Sequence, residues 1–263
     1  MPKMSPLAER LSLVRQRIAA AAEKAGRRPA EITLVAVTKE AAPEQIREIL
    51  QYGVGDLGEN RVQILTQRVG QFNEFFQRRQ KAGDASGLAA RLRWHMVGHL
   101  QRNKVKGVLP LVDVIHSVDS LRLAEEIEAQ AGKLEKKIPV LLQLNASEEA
   151  SKSGVAVGAA LHLAEQIHMM SHMVLVGLMT MAPLGASPEQ AHFVFSRTRE
   201  VFDEIKWNKI GGNGFRHLSM GMSGDFEAAI AEGATIVRIG TAIFGRKAPD
   251  PDRPERDEAD EKR

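Results

Sequence analysis

Residues 32–39, Ile-Thr-Leu-Val-Ala-Val-Thr-Lys, are an apolar, β-branched run that stops at a lysine. A run this short and this hydrophobic predicts a strand buried on both faces, and such strands belong mostly to parallel sheets covered by helices. Lys39 then stands where a buried strand emerges. Burial there would favour the free amine, a nucleophile for an aldehyde; the other reading is a lysine that marks the strand end and snorkels into solvent.

Working outward, seven further runs read as strands: 56–60, 93–100, 114–118, 139–145, 174–180, 217–221 and 235–240. Helical periodicity falls between them, at 43–52, 61–80, 121–134, 159–170, 187–207 and 227–232. Ser5 and Pro6 open an additional amphipathic helix that runs to Gly26 and is expected to pack as a lid or plug. Eight strands alternating with helices predict an α/β fold, a single (β/α)8 TIM barrel. The barrel with its N-terminal helix takes residues 1–247. Residues 248–263 carry three prolines, seven acidic and four basic residues and no large apolar side chain, and are expected to be a disordered acidic tail. The loop at 81–87 is expected to be exposed and mobile.

Composition narrows the classes of function. The 263 residues carry a formal net charge of +3, and one Tyr and two Trp offer no stacking platform for nucleic acid. No apolar stretch approaches the roughly 18 residues of a membrane span. The chain has no cysteine and begins without the layout of a secretory signal, so the expected address is the cytoplasm. His95, His99, His116 and His217 are dispersed, with no metal-binding spacing, and read as core or surface histidines.

In a barrel of this kind the chemistry sits at the C-terminal ends of the strands, and phosphate commonly sits after strands seven and eight. Gly221-Met222-Ser223-Gly224 and Gly240-Thr241 occupy those positions, so each is either an ordinary turn or half of a phosphate cup. Ser223 and Thr241 would add hydroxyl donors. Lys39 ends strand one, and Glu59 and Asn60 end strand two. Arg238 lies within strand eight, either paired structurally with a carboxylate or facing a ring nitrogen of a cofactor.

Several longer motifs carry a resemblance. Val-Thr-Lys at 37–39, Gly-Glu-Asn at 58–60, Trp-His-Met-Val-Gly-His-Leu-Gln-Arg-Asn-Lys at 94–104, Ser-Lys-Ser-Gly at 151–154 and Gly-Leu-Met-Thr-Met at 177–181 resemble the YggS/PROSC family of pyridoxal phosphate homeostasis proteins. Leu-Ser-Met-Gly-Met-Ser-Gly-Asp-Phe-Glu-Ala-Ala-Ile at 218–230 and Arg-Ile-Gly-Thr-Ala-Ile-Phe-Gly at 238–245 do so too. The resemblance implies a barrel of the alanine racemase N-terminal type, fold type III among enzymes that use pyridoxal 5′-phosphate (PLP), with PLP held as a Schiff base on Lys39. It implies that Ser223, Gly240 and Thr241 hold the phosphate, that Asn60 lies beside the ring and that Arg238 faces the pyridine nitrogen. It further implies a monomer that stores, buffers or delivers PLP, with apo PLP-dependent enzymes as recipients, no catalytic residues and no metal. The alternative is a weak amino-acid racemase with Lys39 as one base and water or His95 as the other, because the single tyrosine, Tyr52, is placed for packing.

Overall fold

In the computed structural model, which describes residues 4–83, 89, 91–149 and 153–245, the run at 32–39 forms β1 (Thr33–Val37). Parallel neighbours flank it on both sides: β2 (Asp56–Glu59) and β9 (Ile236–Ile239). The sheet continues from β2 through β3 (Arg93–Met96) to β4 (Val114–Val118), and from β9 through β8 (His217–Ser219) and β7 (Met173–Met179) to β5 (Ile138–Asn145). Pairing of β4 with β5 closes the eight-stranded parallel barrel that the alternation predicts. A ninth strand, β6 (Val155–Ala156), lies outside the ring against the end of β5, where the sequence reading has only loop.

Most crossovers between strands are helical: α2 (Pro43–Gln51), α3 (Val62–Lys81), α4 (Val105–Val108), α5 (Leu121–Lys133), α6 (Val157–His168), α7 (Pro188–Trp207) and α8 (Phe226–Ala231). The four-residue α4 has too little periodicity to register in the sequence. Ser187 caps α7 through a capping box with Gln190, and Pro188 occupies the first turn, where a missing N–H costs nothing.

The N-terminal helix α1 (Pro6–Lys24) begins where predicted, with the Ser5 hydroxyl accepting from the Ala8 N–H. It is not a lid or plug. α8 and α9 (Thr241–Phe244) are too short to cover their strands, and α1 runs down the outside of the barrel across both. Arg10 donates to the Ile243 carbonyl at 2.7 Å near one end of α1, and Arg17 pairs with Glu227 at 2.6 Å. Just past the other end, Arg27 donates to the Ala234 carbonyl at 2.7 Å.

Strand register sorts the side chains into two layers. Ala36, Leu57, Trp94, Met96 and Ile115 belong to the apolar core of sheet and helices. Alternating with them, Asp56, His95, His116, Ser219 and Arg238 occupy the inner layer. A contact between β4 and β8, which are not neighbours in the sheet, has to cross the barrel interior, and His116 makes one to Ser219 at 2.9 Å. The loop at 81–87 lies mostly, and the tail at 248–263 wholly, outside the described residues, as do Ser151 and Lys152 of the motif at 151–154.

Candidate functional site

The predicted site residues lie on four strands that are consecutive around the barrel, β2, β1, β9 and β8. Lys39 stands two residues beyond β1 and is exposed, the solvent-facing one of the two readings that the sequence left open. Its backbone is held from behind. Arg68 of α3 donates to the carbonyls of Thr38 and Ala41, on either side of Lys39, and pairs with the fully buried Glu59 at 2.7 Å.

Asn60 follows β2 directly. Gly98 packs so closely on its backbone that a Cβ at 98 would sit 2.2 Å from the Asn60 carbonyl oxygen. The Asn60 Oδ1 atom is buried and has no hydrogen-bond partner among the described residues. An acceptor in that state costs free energy unless a ligand supplies the donor.

Ser223 lies in the turn after β8, and its Oγ accepts from the Ala242 N–H at 3.1 Å, tying that turn to the start of α9. Gly240 opens α9, and a Cβ there would lie 3.1 Å from the Val37 carbonyl oxygen. The turn carrying Gly240 and Thr241 therefore rests against the end of the strand that leads to Lys39. Gly221 has φ +93°, and a Cβ at that position would meet Phe226 Cα at 2.8 Å, so the turn after β8 packs tightly onto α8.

Arg238 is 4% exposed and points into the barrel. Among the described residues no carboxylate is hydrogen-bonded to it, in contrast to the structural pairing that the sequence left open. Nη1 donates to the Ser219 carbonyl and hydroxyl oxygens, both at 2.7 Å, and Nη2 to the Thr180 carbonyl at 2.9 Å. These bonds use three of the five guanidinium N–H groups and leave two for another acceptor. Burial lowers its pKa to about 10, with Asp225 opposing the shift, so the group is a cation at neutral pH.

His95 and His116 are core residues and His99 a surface one, as the sequence predicts, but the first two are also joined to each other. The His95 Nδ1 and His116 Nε2 atoms are 2.9 Å apart, and His95 Nε2 meets Asp56 Oδ1 at 2.9 Å. Burial, then the charges of His95, Arg238 and His217, hold the His116 pKa well below the ordinary value. His217 lies at the opening of β8, at the opposite end of the barrel from Lys39, and burial followed by Arg216 and Arg93 lowers its pKa to about 4. His99 is on the surface, 3.3 Å from Asp119. The His95–His116 link was hidden because histidine spacing along one chain carries no strand register; inward parity on neighbouring strands is the signal that would have found it.

Among the described residues, no group of three or more His, Asp or Glu is placed to hold a metal, and no helix is long and apolar enough to cross a membrane. Tyr52 caps the C-terminal end of α2, which returns the chain from the mouth to the far end of the barrel. It stands at the opposite face from Lys39.

Comparison with known proteins agrees with this architecture. The alanine racemase N-terminal domain family matches residues 10–248. The pyridoxal phosphate homeostasis protein of Aquifex aeolicus is 40% identical over 239 residues, 91% of this chain and 97% of that one. Its counterpart in Pseudomonas aeruginosa is 38% identical over 245 residues, 93% and 97% of the two chains. The structure of PipY from Synechococcus elongatus with PLP bound superposes with a TM-score of 0.71 at 31% identity, covering 91% of this chain and all of that one. Alanine racemase of Clostridium difficile shares the fold at 15% identity, with a TM-score of 0.63, 94% of this chain and 59% of that one covered. The chain belongs to the pyridoxal phosphate homeostasis protein family, within the alanine racemase N-terminal domain family.

Proposed function

We propose that this chain binds PLP at the mouth of its barrel and serves homeostasis of that cofactor in the cytoplasm, storing, buffering or delivering it without robust catalysis of its own. The observation that carries the reading is Gly240 packed against Val37, which sets the turn with Thr241 and Ser223 beside the strand that leads to Lys39. When bound, PLP supplies an aldehyde that bonds to amines and a ring that accepts electron density. Lys39 offers the amine. Ser223, Gly240 and Thr241 would hold the phosphate, Asn60 Oδ1 would accept from a ligand donor, and Arg238 would offer a spare N–H to the ring nitrogen. PipY, a relative with PLP bound in its solved structure, supports this assignment.

The same residues argue for a carrier. Arg238 keeps its proton at neutral pH and donates without protonating the ring nitrogen, which leaves the ring a weak electron sink. A racemase needs a second base facing the first. Tyr52 is at the wrong end of the barrel, and both ring nitrogens of His95 are already engaged. Exposure of Lys39 leaves the bound cofactor within reach of an apo PLP-dependent enzyme, and the chain acts as a monomer.

The test is to load the protein with PLP, reduce with borohydride and map the modified peptide, with Lys39→Ala alongside. Label on Lys39 that is lost in the variant, transfer of PLP to an apoenzyme and amino-acid racemisation no faster than with free PLP are expected. No label after loading would remove the PLP reading; racemisation well above free PLP would replace the carrier with an enzyme.

A further inference from the structure

Arg238 is the end of a longer chain of hydrogen bonds, whose two ends are a guanidinium that only donates and a carboxylate that accepts. Arginine has five donors and no acceptor, so the 2.7 Å contact makes the Ser219 hydroxyl oxygen an acceptor. In the order that runs toward Asp56, the Ser219 proton goes to His116 Nδ1, 2.9 Å away. This places the His116 proton on Nε2, from which it is donated to His95 Nδ1 at 2.9 Å. The His95 proton in turn lies on Nε2 and is donated to Asp56 Oδ1 at 2.9 Å.

At the far end Asp56 is held ionised. Burial raises its pKa, but the hydrogen bond from His95 and the contact and charge of Arg93 act against that, and the pKa lies below the ordinary value. Arg93 Nε is 2.6 Å from the same oxygen. An ionised carboxylate only accepts and a guanidinium only donates; with two neutral imidazoles, the one order that satisfies both ends has each carrying Nε2–H. Reversing the chain takes a proton on Asp56 against Arg93, a proton on His116, which burial and the Arg238 charge disfavour, or a proton on His95, which the tautomer measurement below separates from the relay. The relay runs through β8, β4, β3 and β2 and ends on β9 at Arg238.

We propose that Ser219, His116, His95 and Asp56 act as positioning residues for Arg238: the one-directional relay pins the Ser219 hydroxyl and so aims the spare guanidinium N–H groups at the ring nitrogen of the bound cofactor. The proposal rests on the PLP reading of the site. It assigns a ligand effect to His95, which stands three hydrogen bonds from Arg238, is 2% exposed and has both ring nitrogens engaged inside the barrel.

The first experiment needs no ligand. Long-range proton–nitrogen correlation on the wild-type protein with nitrogen-15 histidine reads the tautomers at neutral pH, and His95 and His116 are expected as neutral Nε2–H forms. A neutral Nδ1–H form or an imidazolium at either residue would overturn the relay.

The second compares His95→Leu with His95→Asn in the PLP-loaded protein, reading PLP dissociation rate and visible spectrum. Leucine fills the volume and removes the acceptor; asparagine is smaller but returns an oxygen near the Nδ1 position. Positioning predicts release about tenfold faster for His95→Leu, the value of one lost hydrogen bond, with most of that recovered in His95→Asn. Packing alone predicts the reverse order, and that order, or equal rates in both variants and wild type, would overturn the proposal. If borohydride labels no Lys39 in the wild type, the PLP reading fails, and the tautomers still decide the relay.

Discussion

Arg68 and Glu59 form a 2.7 Å ion pair under the loop that carries Lys39. The arginine is the clamp, because the same guanidinium also holds the carbonyls of Thr38 and Ala41. Glu59 is fully buried, and desolvation raises its pKa against the opposing pull of Thr38 and Arg68. Removing one partner of such a pair leaves a buried charge uncompensated. Arg68→Met is therefore expected to lower stability by about 3 kcal/mol and to slow borohydride trapping of PLP on Lys39. Adding Glu59→Gln should restore part of the stability, because it removes the stranded charge, without restoring the trapping rate. Urea unfolding of the two variants checks the first effect, and recovery of both properties together would contradict the clamp.

Gly221 is the backbone position on which the turn proposed to hold phosphate depends. Its φ of +93° and the 2.7 Å approach that a Cβ would make to the Ala229 Cβ leave no room for a side chain. Gly221→Ala is expected to cost on the order of 2 kcal/mol and to weaken PLP binding, since the turn holding Ser223 has to shift. Gly224, three residues on, has open space around its missing Cβ, so Gly224→Ala should do far less. Equal effects in thermal melts would show that tight packing at 221 is irrelevant.

Ser223 joins two parts of the cup through one acceptor. Its Oγ takes the Ala242 N–H and keeps its own proton for a ligand. Ser223→Ala should lower PLP affinity about tenfold while reducing stability by only about 1 kcal/mol. A titration of apoprotein with PLP measures the first and a urea melt the second; an unchanged dissociation constant would take Ser223 out of the phosphate site.

Strand order and the mouth were legible in the sequence because β1 and β5 are apolar runs that stop at polar residues, a pattern that needs only neighbours along the chain. Parallel pairing and crossover length then left a barrel as the economical arrangement. Whether Lys39 is buried or faces solvent stayed open for the same reason: a strand-end rule says where a residue lies but not whether the mouth above it is open. The interior relay was illegible, since it depends on inter-strand register. Asp56, His95, His116, Ser219 and Arg238 lie far apart in sequence and meet only when the sheet closes.

The histidines at the interior and floor of the barrel set the acid limit of the fold. His217 has its pKa lowered to about 4, and His116 lies well below its ordinary 6.5, in both cases chiefly through burial. The unfolded chain takes up these protons as pH falls past about 6.5, whereas the folded chain does not until the lower values are reached. Between those limits the unfolded state binds more protons, so stability is full above pH 6.5 and declines as pH falls toward 4. His217 is partly exposed, and solvent screening reduces its share to about 1–2 kcal/mol. Asp56 acts lower still: its folded pKa is depressed below 3.8, so its contribution persists through this window and is lost only beneath it. Urea midpoints at pH 7, 5.5 and 4.5 should fall in that order, and His217→Gln should flatten the profile. A midpoint independent of pH across this range would mean that the buried imidazoles accept protons in the folded state as readily as in the unfolded one, which the crowding of His116 by Arg238 and His95 opposes.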